Sequence, residues 1–469
     1  MTLNDFLNQV RDDMPVHAPL EPGFVPLAAV LARYEAGLTE ENSIPVAFSL
    51  ERELGHTTSY RMRMYQYITE WGNVTLALAE RLVKTMLWAY GGFKLRVAAP
   101  DIIVDHLQEL YSKDGKRAFD ADFMSNVYEQ PFSVEKVALN DIPADKSGAR
   151  SVGRHLDGCR IGFDAGGSDR KVSAVIDGEA VYSEEVVWHP KTNADPSYHY
   201  EGILAAFKSA AEHMPRVDGI GVSSAGIYVA NRTRVASLFL KVPKDLFDAQ
   251  VNDIYIRAAN AIGNVPLEVA NDGDVTALAG AMDLNENSVL GIAMGTSEAG
   301  GFVDPDGNIT GWLNELAFVP VDLNPDAMVD EWSGDVGCGV KYFSQDAAAK
   351  LAPAAGIKLD ESLTPAEKLK AVQAEADKGN PGALAIYDTI GVYLGWELAW
   401  YARFYQIKHV LILGRVTSGV GGERVLAEAW RTLDAADPEL AKTLTLHLPD
   451  ESNRRVGQSI AAASLPQVG

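Results

Sequence analysis

Four short segments of this chain combine glycines, hydroxyls and carboxylates in patterns that suit phosphate chemistry. The first is FDAGGS (163–168), where a strand pattern runs into a double glycine and a second strand at 171–176. Adjacent glycines permit a tight reversal and let backbone N–H groups approach a phosphate without a Cβ in the way. Gly166, Gly167 and Ser168 are the candidate contacts, and Asp164 at the strand end can face a magnesium ion directly or through water. The second segment, MGTSEAGG (294–301), sets Gly295, Thr296 and Ser297 at a turn after an apolar strand, 289–293. The third, LILGRVTSGVGGE (411–423), turns from a strand at 409–413 into a helix at 423–433, with Gly414, Arg415 and Gly419 as candidate nucleotide contacts. No GK[ST] follows it and it does not spell GxGxxG, so P-loop and Rossmann readings lose their main support. The fourth, VANDGD (269–274), ends a strand in Asn271-Asp272 just before helix-forming residues 275–282. A carboxylate there can orient an alcohol and accept its proton during phosphoryl transfer, whereas the bland reading makes Asn271 or Asp272 a helix cap.

These segments need strands and helices to hold them. From 159 onward the pattern is strand-rich: 159–164, 171–176 and 179–189, then 219–223, 267–269, 289–293, 301–303 and 409–413, with helices between them, including 202–211 and 381–405. Hairpins followed by strand–helix alternation predict mixed α/β lobes rather than a simple parallel sheet. The first 155 residues read differently. Helical stretches at 26–37, 74–90, 101–111 and 120–128 surround strands at 93–99 and 132–139, and residues 146–150 read as a linker.

The chain has 469 residues, 47% of them hydrophobic and 22% charged, so more than one ordinary core is expected. Its formal net charge of −23 argues against nucleic acid or an anionic membrane as partner. No apolar run approaches the roughly 20 residues of a membrane helix, and the start lacks the look of a signal peptide. The two cysteines, Cys159 and Cys338, form neither a metal pattern nor a disulfide framework, which fits a reducing cytoplasm.

Taken in order, the four segments resemble the ROK family (repressor, open reading frame, kinase) of sugar kinases and sugar-responsive proteins. FDAGGS resembles that family's D-x-G-G-T phosphate hairpin, VANDGD its V-x-N-D-A-N segment, MGTSEAGG its L-G-T-G-x-G-G-G loop, and 411–423 the region bordering adenosine. The resemblance spans about residues 158–430. It implies a two-lobed, actin-like (ribonuclease H-like) α/β ATPase fold, to which this chain's own pattern adds an α+β N-terminal extension that the resemblance does not place. The expected divisions are an extension at 1–155 of unknown role, a first lobe at 156–270 onto which a tail of about 440–469 packs back, and a second lobe at 271–439. It further implies an ATP- and Mg²⁺-dependent carbohydrate kinase with Asp272 as general base, and Asn271 and Glu315 holding the sugar. A non-catalytic sugar-sensing regulator is the alternative.

The departures are informative. Where the family has G-E-x-G-H, this chain has Glu315 but Phe318 at the histidine position, and of the three zinc-segment cysteines only Cys338 stands, so no zinc is expected. Val340 replaces a sugar-contacting glutamate, and Asp169 stands where a lysine often follows the hairpin. A rewritten pocket points to an unusual sugar or cyclitol rather than glucose. Residues 1–150 carry 15 Lys+Arg against 21 Asp+Glu, which disfavours a DNA-reading extension. Arg52, Arg61 and Arg63 with Tyr60, Tyr65 and Tyr67 suggest a lid or a sugar-stacking face; the alternative is a helical surface that supports the fold or a homodimer contact.

Overall fold

The computed structural model describes residues 2–66, 68–146, 152–449 and 454–468. The linker read at 146–150 lies outside them except for Lys146, as does Tyr67. The chain begins with α1 (Leu3–Asp13) and α2 (Leu27–Ala36), then β1 (Ser43–Glu51), β2 (Thr57–Tyr65), α3 (Ile68–Tyr90), β3 (Lys94–Ala98), α4 (Asp101–Leu110), α5 (Ala118–Tyr128) and β4 (Ser133–Lys136). Next come β5 (Cys159–Ala165), β6 (Asp169–Ile176), β7 (Glu179–Val187), α6 (Pro196–Ala211), β8 (Gly219–Ser224), a small hairpin of β9 (Ile227–Val229) and β10 (Arg232–Val235), the short α7 (Lys244–Leu246), α8 (Ile254–Ile262), β11 (Leu267–Asn271) and α9 (Asp272–Leu284). The remainder is β12 (Val289–Met294), β13 (Glu298–Val303), α10 (Gln345–Leu351), α11 (Pro365–Asp377), α12 (Pro381–Tyr401), β14 (His409–Leu413), α13 (Val420–Ala436), α14 (Pro438–Ala441), β15 (Thr445–His447) and α15 (Arg454–Ala463). No described helix is long and apolar enough to cross a membrane.

The chain divides into two compact α/β units. One comprises Met1–Ser147, Ile292–Gly300 and Trp312–Leu448; the other comprises Gly148–Gly291, Gly301–Gly311 and Pro449–Gly469. In the second, β5, β6 and β7 form an antiparallel meander, while β8 and β11 run parallel to β5, giving the order β11-β8-β5-β6-β7. That order is ribonuclease H-like, as the resemblance implies.

The sequence explains why the tail helix can lie on this sheet. In β5, Ile161 and Phe163 face a core shared with Ile203, Phe207, Ile220 and Val222. Gly162 and Gly221 give α15 its close approach. A Cβ on Gly162 would collide with the Ser459 carbonyl oxygen, and one on Gly221 with that of Ala462. Ala461, Ala462 and Ala463 are fully buried there, and the Arg160 guanidinium donates to the Pro466 carbonyl at 2.7 Å.

In the first unit, β2-β1-β3-β4 form one sheet, with β1 antiparallel to β2 and β3, and β3 parallel to β4. The extension belongs to this unit rather than standing apart. Val25 N–H donates to Asp322 at 2.9 Å, the Trp396 indole to Val16 O at 3.2 Å and the Trp400 indole to Thr85 at 3.1 Å. The lid reading of the basic–aromatic set is corrected. Arg52 and Tyr65 are buried, Tyr60 is half-buried and stacks on Phe404, Tyr65 stacks on Trp71, and the exposed Arg63 donates to Ser43 Oγ at 2.9 Å while Arg61 is exposed, so the set is spread over both faces of a strand, β2, and the residue that follows β1, rather than gathered on one stacking face or a helix. A second sheet has the order β13-β12-β14-β15. The helix read from 423 starts at Val420, because Gly421 and Gly422 let its first turn pass the Tyr387 ring and the Thr417 carbonyl.

Gly221→Ala should lose about 1–3 kcal/mol in denaturant unfolding, the usual cost of overpacking. Gly263→Ala, whose Cβ would meet only Val265 at 3.8 Å, is the control and should stay within about 0.5 kcal/mol.

Candidate active site

The carboxyl ends of three parallel strands, β5, β8 and β11, carry Asp164, Ser223 with Ser224, and Asn271. Ligands in open α/β sheets favour such ends. The Ser223 hydroxyl donates to Asp164 at 3.1 Å, and the Gln458 amide on α15 reaches Ser223 Oγ at 3.1 Å and the Asp272 carbonyl at 3.5 Å. Burial raises the Asp164 carboxyl, and the neighbouring Asp272 charge adds to it, to about 6. Burial also raises Asp272 above the usual carboxylate range, opposed by the Gly273 N–H and Lys191.

Local chemistry places Asp272. Asn271 is the N-cap of α9: its side-chain oxygen accepts the Gly273 N–H at 2.7 Å while its amide donates to the Gly226 carbonyl at 2.7 Å. Asp272 is therefore the first helical residue, where the helix dipole favours an anion. The hairpin at 166–168 is pinned from behind by Trp188, whose indole donates to the Gly166 carbonyl at 2.8 Å and whose N–H donates to Ser168 O at 3.1 Å. Gly167 and Ser168 stay exposed. Lys191 lies over this turn, with its Nζ 2.9 Å from where a Cβ on Gly167 would sit. It brings a cation to a hairpin whose own next residue is Asp169. Lys191, Ser223, Trp188 and Gln458 escaped the sequence reading, since only tertiary packing brings them here, beside the Lys171 of β6 that pairs with Asp169 at 3.2 Å.

The first unit carries the other glycine loops. Residues 295–297 join β12 to β13, the Thr296 and Ser297 side chains are exposed, and Gly295 O accepts the Gln345 N–H at the start of α10 at 2.9 Å. Gly414, at φ 99°, packs on the Met294 backbone, so a Cβ there would clash with it. This close approach puts the exposed Arg415 beside the 295–297 turn, and Gly419 caps α13.

Glu315 is partly buried, and its N–H donates to the Trp88 carbonyl at the end of α3 at 3.0 Å. Phe318 is buried against Trp88, ring centroids 4.2 Å apart, with Trp332 at 5.3 Å. The degenerate zinc segment holds a buried ion cluster instead: Asp335 meets Arg81 at 2.7 Å, Lys84 at 3.0 Å and Arg117 at 2.7 Å. Burial pushes its carboxyl up, but these three cations hold it far below the usual range. Burial pushes the Cys338 thiol up to about 12, and its Sγ lies 3.7 Å from Asp335.

No protein-family profile and no curated protein sequence matches the chain. Among solved structures, it is similar to a ROK hexokinase from Thermus thermophilus at 19% identity over 65% of this chain and 97% of that one, with a TM-score of 0.49. It is also similar to a ROK glucokinase from Streptomyces griseus in complex with glucose and AMPPNP, at 20% identity over 65% and 98%, TM-score 0.47. A ROK transcriptional regulator, a homologue of E. coli MLC, aligns at 16% identity over 78% and 89%, TM-score 0.47. Likeness at this level assigns no role to any residue.

Asp272→Asn should lower the Asp164 pKa from about 6 by removing the neighbouring charge, read by carbon NMR of labelled aspartate. An unmoved titration would mean that the two carboxyls do not feel one another. Asp335→Ala leaves Arg81, Lys84 and Arg117 with only Glu80 and Asp120 among them and should destabilise the protein by about 3–5 kcal/mol in chemical unfolding.

Proposed function

We propose that this chain is an ATP-dependent carbohydrate kinase. The observation that carries the reading is the Asp164–Asp272 arrangement: two carboxyls at the carboxyl ends of parallel strands, with Ser223 donating to Asp164, the Gly273 N–H to Asp272, and Asp272 raised by burial above the usual carboxylate range. In the proposed reaction the acceptor hydroxyl oxygen bonds to the γ-phosphorus of ATP as the bond to the β,γ-bridging oxygen breaks. ADP leaves, and Asp272 takes the hydroxyl proton.

The other residues bind and orient. The N–H groups at 166–168 and the Lys191 ammonium hold phosphate oxygens, as do Gly295, Thr296 and Ser297. Gly414, Arg415 and Gly419 border the nucleoside. Asn271 fixes Asp272 through its cap, and Asn271 and Glu315 hold the sugar. Asp164 fits magnesium, because a buried carboxyl raised by a like charge is relieved by a cation. Bound with ATP, that ion would neutralise charge on the transferring group.

The acceptor is a sugar or cyclitol, and the setting cytoplasmic. With Phe318 in an aromatic stack and Val340 at the next position of the resemblance, the pocket lacks two polar partners expected for glucose. Mg-ATP with a broad sugar panel, followed by ADP release, tests the reading. Sugar-dependent release at least roughly tenfold over the sugar-free rate is expected, with an acceptor other than glucose the best. Release that ignores every sugar would contradict the kinase, and a preference for glucose would contradict the rewritten pocket.

A further inference from the structure

Glu298 and Glu397 are two buried carboxyls that the phosphoryl-transfer reading does not use. Glu298 opens β13 directly after the 295–297 turn and is 3% exposed; Glu397, on α12, is 1% exposed. Neither forms an ion pair among the described residues. Glu298 Oε2 and both Glu397 oxygens have no hydrogen-bond partner there. The nearest donor is the Tyr401 hydroxyl, at a long 3.3 Å from Glu298 Oε1. Burial pushes the Glu298 carboxyl up to about 8, and burial together with the Glu298 charge raises Glu397 far above the usual range. Buried carboxyls are ordinarily hydrogen-bonded, paired or bound to metal.

Gly339 adds a second observation. A Cβ there would collide with Glu298 Oε2 and would fall 2.5 Å from the Leu316 carbonyl oxygen. A carboxylate oxygen and a backbone carbonyl oxygen thus pack side by side against the same glycine. Both oxygens are hard donors.

We infer that Glu298 and Glu397 hold a hard divalent cation of the calcium or magnesium class, with the Leu316 carbonyl as a further ligand. One such ion balances both carboxylates and takes up the orphaned oxygens. It ties the end of the 295–297 turn to α12 and to the segment that carries Glu315. The residues differ from the carboxylate proposed for nucleotide-bound magnesium, so the site stands or falls independently of the kinase reading.

The test uses Asp164→Asn protein, which lacks that other carboxylate, stripped with EDTA and titrated with Mn²⁺ while free Mn²⁺ is followed by electron paramagnetic resonance. One bound Mn²⁺ per chain is expected at pH 8.5. Affinity should weaken at least roughly tenfold at pH 6.5, because the ion competes with protons for the carboxylates. Glu397→Gln should abolish binding, and Ca²⁺ should raise the thermal midpoint of the parent protein but not of the Gln variant. A neutral carboxyl pair sharing a proton predicts no Mn²⁺ uptake at either pH and no Ca²⁺ shift, and that result overturns the site, as does binding that Glu397→Gln leaves unchanged. Should Glu397→Gln fail to fold, the pH dependence and the Ca²⁺ shift of the parent protein decide alone.

Discussion

Two like charges must be held near one another, partly out of water, at the ends of β5 and β11. Each carboxyl is raised by its burial, and Asp164 is raised further by Asp272. What offsets this at Asp164 is Lys171 and the hydroxyl of Ser223, on the strand between them, and at Asp272 the Gly273 N–H and the Lys191 ammonium, while Gln458 on α15 donates to Ser223 Oγ and to the Asp272 backbone carbonyl. Much of the second unit follows from that requirement. Gln458 reaches Ser223 only because α15 lies almost against β5 and β8, and it does so because Gly162 and Gly221 carry no side chain. The end of the chain is thereby part of a site whose first carboxylate comes from near residue 160.

The first unit is organised around a different electrostatic problem. The extension packs into this unit, and its α3 and α5 deliver Arg81, Lys84 and Arg117 to a single aspartate, Asp335. Asp120 and Glu80 lie against the same cations, so the buried charges are paired rather than left bare. The segment that in the resemblance would be pinned by metal is here pinned by ions from the extension. The same helix α3 ends by accepting the N–H groups of Asn314 and Glu315 at 3.0 Å each. A segment with no counterpart in the resemblance therefore holds a residue proposed to touch substrate.

The sequence was most readable where chemistry is local. A double glycine after an aspartate, an Asn-Asp ahead of a helix, and a Gly-Thr-Ser turn between apolar strands each announce themselves within a few residues, and the structure forms the corresponding turn, cap and loop. The α/β class and the meander of β5 to β7 were legible for the same reason, since their period and turns are local. What stayed hidden depends on distant packing. Lys191 and Gln458 are unremarkable in their own segments. In β1, Ser43–Glu51, Pro45 interrupts the alternation and both faces are largely buried, so no clean period of two survives. Arg52 and Tyr65 read as part of a lid or stacking face, although both are buried, because sequence shows type, not burial. Gly421 and Gly422 looked like loop residues, although a helix can use glycines where a ring or a carbonyl crowds its first turn.

The account turns on Asp272 being the group that takes the acceptor proton rather than only a helix-start residue. Its most direct test is the kinetic split in Asp272→Asn, with nucleotide affinity measured separately by calorimetry. The account predicts that sugar-dependent kcat falls by a hundredfold or more, on the order of what a general base contributes, while ATP binds about as well as before. Full sugar-dependent turnover in that variant would contradict it.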